Sequence, residues 1–163
     1  MPRQPVSNSQ VTIYSERLWP APWLFIATAL VIPASLLVFL PINVGAGIVV
    51  AIVLYLGCVG LLLASAARVE VTDTEFVAGK ARLPLGIVGH SEAFVRDEAR
   101  LERGQRLDAR AWLLIRGWID PVVRVSLTDP NDPTPYWIVS TRRPQAVVDA
   151  LESAKATLRT PGK

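Results

Sequence analysis

The feature that most constrains the fold is an uncharged run of fifty residues, Leu18 to Ala67. It contains no Asp, Glu, Lys, Arg or His, so nearly every charge lies in the short N-terminal segment or after the run. A membrane-spanning helix needs about 20 apolar residues, because each adds about 1.5 Å across a hydrocarbon core of roughly 30 Å. The run is long enough for two spans, and in lipid both must be helical because no water satisfies an open backbone.

A turn divides this run into two helices. The segment "LPINVGAG" carries Pro41, Asn43, Gly45 and Gly47 between aliphatic stretches, and such residues interrupt helices. We predict one span over 19–40 and a second over 44–67, which together form a helical hairpin within 18–67.

Small and restricted residues refine this hairpin. Pro33 is expected to kink the first span. Gly47 with Ala51 and Gly60 with Ala64 are spaced as small-residue pairs that let helices approach closely. We interpret them as packing within the hairpin rather than as a partner-binding face.

Two other interpretations of the run were considered. A buried hairpin of a soluble protein would need more chain around it than 163 residues supply. A cleaved signal peptide is suggested by the sequence Ala64-Ser65-Ala66, but the run is far longer than a signal h-region of about 7–15 residues. Cys58, the single cysteine, lies inside the second span and is expected to be a small buried hydrophobe.

The basic residues that flank the spans predict their orientation. Arg3 and Arg17 precede the first span, whereas Arg68, Lys80 and Arg82 follow the second, and the turn carries no charge. Cytoplasmic segments near span ends are enriched in Lys and Arg. We therefore expect a multi-pass plasma-membrane protein with both termini in the cytoplasm.

Residues at the predicted membrane boundary have the chemistry of interface anchors. Trp19 and Trp23 lie four residues apart at the start of the first span, where indole rings favour the membrane–water interface. Arg17 and Arg68 bracket the hairpin. Residues 1–17 are interpreted as a cytoplasmic tail.

After Arg68 the pattern changes to short alternating runs that predict strands. The runs are "RVEVT" (68–72), "EFVAGKARL" (75–83), "GIVGHSEAFV" (86–95), "AWLLIRGW" (111–118), "VVRVSL" (122–127) and "YWIVS" (136–140). The fourth and fifth flank "IDP" and are predicted to form a hairpin.

The period then becomes helical. In residues 144–158, apolar side chains recur at Val147, Leu151, Ala154 and Leu158, which predicts an amphipathic helix lying on the sheet. We expect 68–158 to be an α+β cytoplasmic domain, an antiparallel β-barrel or bent sheet closed by this helix, with 159–163 as a tail.

A segment dense in charge, 96–110, separates two of the strands. Acidic residues nearly cancel its arginines and no aromatic residue interleaves, so we interpret it as a solvated short helix and loop. The chain carries a formal net charge of +3, and no basic stripe of the kind that binds nucleic acid is visible.

A candidate binding site follows the proline-stiffened loop "DPNDPTP". Arg142 and Arg143 lie at the junction between the last strand and the last helix, where an anion would meet both arginines and free backbone N–H groups. Lys80 and Arg82 are the second choice. The alternative is that these residues form only a solvated corner.

Residues for catalysis or metal binding are sparse. His90 is the single histidine; Ser91 would face the other side of a strand, and Glu92 would share the histidine's face without a nucleophile. No zinc-ligand spacing and no phosphate-binding glycine loop is present. We expect a non-enzymatic protein without metal or cofactor.

The segments "YSERLWPAPW", "RLPL" and "DPNDPTPYWIVSTRRP" resemble a family of small actinobacterial membrane proteins known only as domain of unknown function 3093. The resemblance extends over about residues 14–156 and implies a membrane protein with no assigned activity. The order of strands before a terminal helix is also similar to a bacterial pleckstrin-homology-type barrel, and fold alone gives no function.

Three functional hypotheses remain. The first is a membrane-tethered module that binds a protein, either a partner or a second copy. The second is an accessory subunit of a larger membrane complex. The third is recognition of anionic lipid headgroups by the domain. The lipid bilayer is a partner in all three.

Overall fold

The computed structural model describes residues 10–159, which form two compact units. Residues 19–67 form an apolar helical unit, and residues 10–18 together with 68–159 form an α+β domain. The predicted hairpin and the predicted α+β class are both found. Arg3 and residues 160–163 lie outside the described residues.

The apolar unit contains three helical segments. They are α1 (Pro22–Ala29), α2 (Val31–Phe39) and α3 (Val44–Ala64). Two stretches, Pro22–Phe39 and Val44–Ala64, are long and apolar enough to cross a membrane.

A break at Leu30 separates α1 from α2. The Leu30 amide donates to the carbonyl of Ala27 at 3.2 Å, which tightens the last turn of α1. Pro33 has no N–H to offer the carbonyl of Ala29, four residues earlier, so the helical ladder weakens one turn before the proline. The irregularity predicted at Pro33 therefore appears at Leu30.

Small residues position α3 against α2. Gly47 and Ala51 are its buried residues, and a Cβ atom on Gly47 would lie 2.9 Å from the Cβ atom of Phe39. A Cβ atom on Gly60 would meet nothing within 4 Å. Gly47 and Ala51 thus serve packing within the hairpin, as predicted, whereas the contacts of Gly60 show no such role.

The α+β domain contains eight strands and two further helices. The first sheet has the order β1 (Thr12–Arg17), β2 (Arg68–Thr72), β3 (Glu75–Ala78) and β4 (Ala81–Pro84), all antiparallel. The second has the order β5 (Val88–Phe94), β7 (Val122–Leu127), β8 (Tyr136–Ser140) and β6 (Trp112–Leu114). The helices are α4 (Arg96–Arg103) and α5 (Pro144–Arg159), and Leu85–Ile87 forms a 3₁₀ turn.

The two sheets and α5 enclose the main core. The Phe76 ring of β3 lies 6.2 Å from the Trp137 ring of β8. Val147, Leu151 and Ala154 of α5 are fully buried against strands of both sheets. The predicted helix is confirmed, except that Leu158, predicted on its apolar face, is 47% exposed near the helix end. Neither sheet closes into a barrel, so the barrel alternative is wrong.

The segment predicted as an N-terminal tail contributes a strand. Residues 12–17 pair with β2 along its whole length, and Arg17 lies directly opposite Arg68. The apolar unit is therefore an insertion between two adjacent strands of the domain. The predicted domain limits of 68–158 omit this strand because its partner is some fifty residues away in the sequence.

Glycine interrupts one predicted strand run, and one predicted strand pairing is wrong. Residues 75–83 form a hairpin with a turn at Gly79, where φ is 63°. Residues 111–118 and 122–127 do not pair, because β6 instead runs parallel to β8. The ring of Trp112 lies 4.2 Å from that of Trp137, and this aromatic contact takes the place of the local hairpin.

Candidate functional site

The corner formed by Arg142 and Arg143 already holds a carboxylate of this chain. Thr141 precedes these arginines, and its hydroxyl donates to Glu16 Oε2 at 2.5 Å. The Arg142 amide donates to Glu16 Oε1 at 3.1 Å, and the Arg142 guanidinium lies 3.7 Å from the same oxygen. Glu16 thus occupies the position that the sequence suggested for an external anion.

This contact joins the first strand of the domain to the segment between β8 and α5. Glu16 projects from β1, and Tyr14 of the same strand donates its hydroxyl hydrogen to Glu16 Oε2 at 2.9 Å. Burial raises the pKa of the Tyr14 phenol, and Glu16 raises that pKa further. The phenol therefore stays protonated and fixes the carboxylate that binds Thr141.

The remaining predicted basic residues fall in two places on the first sheet. Arg68 begins β2 opposite Arg17, and Lys80 lies exposed in the turn between β3 and β4. Arg82 donates to Glu75 Oε1 at 2.6 Å. Lys80 and Arg82 are thus neighbours in sequence, but Arg82 is held by an acidic partner on the adjacent strand.

The tryptophans predicted as interface anchors begin the apolar unit. Trp19 is 46% exposed and Trp23 is 59% exposed. Pro22 occupies the first turn of α1, where a missing N–H leaves no intrahelical bond unmade.

A groove of about 590 Å³ opens between β5 and the second half of α5. The residues that line it include His90, Ser91, Thr128, Glu152, Lys155 and Arg159. The Ser91 side chain is 4% exposed, and its hydroxyl is buried without a hydrogen-bond partner. A buried polar group without a partner is costly, so this hydroxyl marks the groove as unusual.

An irregularity in β5 shapes this groove. The pairing of β5 with β7 shifts register between Val88 and Ser91, and a Cβ atom on Gly89 would lie 3.1 Å from the Ser126 carbonyl oxygen. Lys155 donates to the Gly89 carbonyl at 2.7 Å and to Glu152 Oε1 at 3.0 Å. The lysine ammonium is thereby fixed at the edge of the groove.

A charged cluster beneath α4 was missed in the sequence. Glu102, interpreted as part of a solvated segment, has a side chain that is only 2% exposed. Its carboxylate accepts from Arg124 at 2.8 Å and from Arg106 at 3.3 Å. The helix is present as predicted, but this part of it is buried because it covers the second sheet.

Aromatic rings complete the surroundings of Arg124. The guanidinium lies 5.1 Å from the centre of the Phe94 ring and 5.7 Å from that of Tyr136, and Glu92 accepts from it at 3.0 Å. We interpret this buried carboxylate and its paired, ring-stacked arginine as part of the domain's structure rather than as a binding site. In the sequence, the position of Glu102 four residues before Arg106 was the pattern that could have indicated this cluster.

The catalytic and metal-binding possibilities are limited by geometry. His90 is exposed, whereas Ser91 is buried on the other side of the strand, as alternation predicted. Glu92 binds Arg124. Within residues 10–159, no group of three or more His, Cys, Asp or Glu side chains is arranged to hold a metal ion.

The fold defines a two-sheet α+β domain that carries two long apolar helical segments between its first two strands. Residues 13–151 match the family described as protein of unknown function DUF3093. The chain belongs to this family, as its sequence motifs indicated. No curated protein and no solved structure matches it.

Proposed function

We propose that the chain is a non-enzymatic integral membrane protein whose apolar unit is a two-span anchor and whose α+β domain is a binding module in the cytoplasm. The observation that carries the anchor is the pairing of Arg17 with Arg68 on either side of the insertion. Because these residues belong to one folded domain, both must lie on the same side of a membrane. An insertion with that property crosses the membrane an even number of times.

The surface of the helices supports lipid as their solvent. Only 6% of the residues in the first apolar window and 11% in the second are buried. A core helix of a soluble protein would hide most of its large aliphatic side chains. Basic residues at both connections favour the cytoplasm for the domain.

Site-directed labelling in intact cells tests the topology. Ile42 is 75% exposed in the turn between α2 and α3, and Asn43 is less suitable because its side chain caps α3 at the Ala46 amide. In a Cys58→Ala background, Ile42→Cys should react with a membrane-impermeant maleimide from outside. Ser153→Cys, exposed on α5, should react only after lysis.

The labelling pattern separates the alternatives. Reaction of the position 153 cysteine alone from outside would invert the orientation, whereas reaction of both cysteines from outside, or release of the protein by alkaline carbonate, would refute the two-span anchor. The expected result is resistance to carbonate together with external labelling at position 42 alone.

The groove between β5 and α5 supports the binding role. It combines two cations, Lys155 and Arg159, with His90 and with Glu152, which pairs with Lys155. A cationic concave surface of this kind fits an acidic segment of a protein partner. Arg142 and Arg143 are a weaker choice because Glu16 already satisfies the backbone of that corner.

Adding negative charge tests the groove. The variant His90→Glu with Arg159→Glu changes two exposed residues and leaves the Lys155 contact with Gly89 intact. A partner cross-linked to the wild-type protein in native membranes should be lost from this variant. It should be retained by Arg142→Glu with Arg143→Glu, and the reverse pattern would move the site to the arginine corner.

A further inference from the structure

One stripe of α5 side chains forms a wall of the groove beside β5. Val148, Glu152, Lys155 and Arg159 all line the groove, and their spacing places them in a row along one side of the helix. At about 1.5 Å per residue, this stripe is about 16 Å long. A ligand that lies along the stripe can therefore contact it at several separate points.

The two ends of the stripe differ in chemistry. Val148 is apolar and half-buried, whereas Arg159 is exposed and takes part in no ion pair within residues 10–159. The opposite wall contributes His90, which follows Gly89, the residue whose carbonyl accepts from Lys155. The groove is therefore apolar near Val148 and cationic toward Lys155 and Arg159.

The middle of the stripe is occupied by an internal ion pair. The Lys155 ammonium lies 3.0 Å from Glu152 Oε1 and 2.7 Å from the Gly89 carbonyl oxygen, and its side chain is only 13% exposed. The Glu152 side chain is 53% exposed. An acidic ligand group at this point would meet the carboxylate of Glu152, so the middle of the groove disfavours negative charge.

We propose that the groove binds an extended segment of a partner protein in which an apolar and an acidic side chain lie four residues apart, with an uncharged residue midway between them. The inference rests on the proposed function of the groove and adds the pattern that it selects. Residues four apart in an extended chain project to the same side and are separated by about 13 Å. The apolar side chain would contact Val148, and the long side chain of Arg159 would reach the acidic one.

Two synthetic peptides of the same composition test this pattern. The peptide TLTTTET has leucine and glutamate four residues apart, whereas TLTETTT has the glutamate at the midway position. Both carry blocked termini and a neutral fluorophore, and the full chain in non-ionic detergent micelles is titrated into each while fluorescence anisotropy is measured. TLTTTET should bind about fivefold more tightly, which is the effect of one exposed ion pair.

Three single substitutions on α5 separate the parts of the groove. Arg159→Gln should weaken the binding of TLTTTET to that of TLTETTT. Glu152→Gln should instead strengthen the binding of TLTETTT, because the like charge in the middle is gone. The matched control is Asp149→Asn, which changes an exposed acidic residue outside the groove whose side chain bonds to Gln145. It should leave both affinities unchanged.

The outcomes distinguish the pattern from the groove itself. Equal affinities of the two peptides for the wild type, or a preference that survives Arg159→Gln, would overturn the proposed pattern. If neither peptide binds but the cross-linked partner is lost from the variant with His90→Glu and Arg159→Glu, the ligand is not a short extended segment and only this inference fails. Retention of the partner by that variant would refute the groove as the binding site.

Discussion

The two units treat the same aliphatic side chains in opposite ways. Leu37 and Leu61 of the apolar unit are 73% and 74% exposed, whereas Leu151 and Val69 of the α+β domain are fully buried. The domain hides its aliphatic residues between two sheets and a helix, but the hairpin has no second layer. Exposed apolar area in water is costly, and this difference is what the proposed membrane anchor accounts for.

Their polar groups differ in the same sense. Two hydroxyls of the apolar unit bond to carbonyls of the preceding helical turn: Thr28 to Leu24 at 2.7 Å and Ser65 to Leu62 at 2.6 Å. In the domain, polar side chains join distant elements, as Glu16 and Thr141 do. Local satisfaction is what a helix in lipid requires, and the predictions below test this contrast.

Removing β1 should have the largest effect. A chain that begins at Arg68 lacks the strand that covers the edge of β2 and the carboxylate that binds Thr141, so we expect it to aggregate or unfold. Joining Leu18 to Ala67 through Asn-Gly, a two-residue turn suited to antiparallel pairs, should give a soluble folded domain. Circular dichroism and gel filtration compare the two proteins.

The joined protein also tests whether the units are separable. If it remains insoluble while the truncated chain folds, the assignment of β1 to the domain is refuted. If the protein with Leu18 joined to Ala67 folds, the domain does not need the helical hairpin in order to fold.

The second-largest effect is expected when a charge is introduced into the core of the domain, and the same change on α3 should act differently. Leu151→Asp should destabilise the domain by about 4 kcal/mol or more, because it places an unpaired carboxylate in the core. Leu61→Asp, on the exposed surface of α3 near its end, should leave the domain's unfolding unchanged and reduce membrane insertion, at a cost below the value of about 2.5–3.5 kcal/mol for a charge at the centre of a span. Urea unfolding in mild detergent and carbonate extraction measure the two effects.

The outcome for Leu61→Asp decides the comparison. Normal membrane insertion together with a destabilised domain would mean that α3 packs as a soluble helix does.

The cluster beneath α4 should show an intermediate effect. Glu102→Gln should lower the free energy of unfolding by about 2–3 kcal/mol, because Arg124 and Arg106 lose a buried carboxylate. Glu98 also binds Arg106, at 2.7 Å, but its side chain is 57% exposed. Glu98→Gln should therefore cost less than about 1 kcal/mol. Equal losses in urea unfolding of the two variants would contradict the buried role of Glu102.

The smallest effect is expected at the contact between β1 and the start of α5. Glu16→Gln keeps an acceptor for Thr141 or the Arg142 amide but loses the charge, so about 1 kcal/mol should be lost. Glu75→Gln, whose Arg82 partner is 66% exposed, is the control and should cost about half as much or less. A larger loss for Glu75→Gln would show that the joint at Glu16 is not important for stability.

The local spacing of apolar residues predicted the helices and strands that have a strong pattern or that pair with segments close in the sequence. The fifty-residue uncharged run, the strand "YWIVS" and the helix with Val147, Leu151 and Ala154 are all present. Strand β1 was missed because "TIYSER" alternates weakly and pairs with residues beyond the insertion. The parallel β6–β8 pair depends on the contact of Trp112 with Trp137, which no local pattern contains.

The sequence predicted which basic residues lie near the candidate sites, but not the contacts that these residues make. The sequence showed that Arg142, Arg143, Arg17 and Arg68 are basic residues at element boundaries. That Glu16 would occupy the arginine corner depends on a contact across 125 positions. The groove beside Ser91 depends on a register shift in β5, and alternation alone predicts a regular strand there.

The position of β1 also sets an order for biogenesis. This strand leaves the ribosome first, yet its partners follow fifty residues of apolar chain, and Thr141 comes 125 residues after Glu16. At a synthesis rate of about 5–20 residues per second, β1 waits several seconds for β2 and longer for α5. That interval covers the synthesis of the whole apolar unit, so the first sheet is completed only after the apolar unit has been made. Contacts so distant in sequence also make folding slow, so β1 stays without its strand partner while the insertion is synthesised.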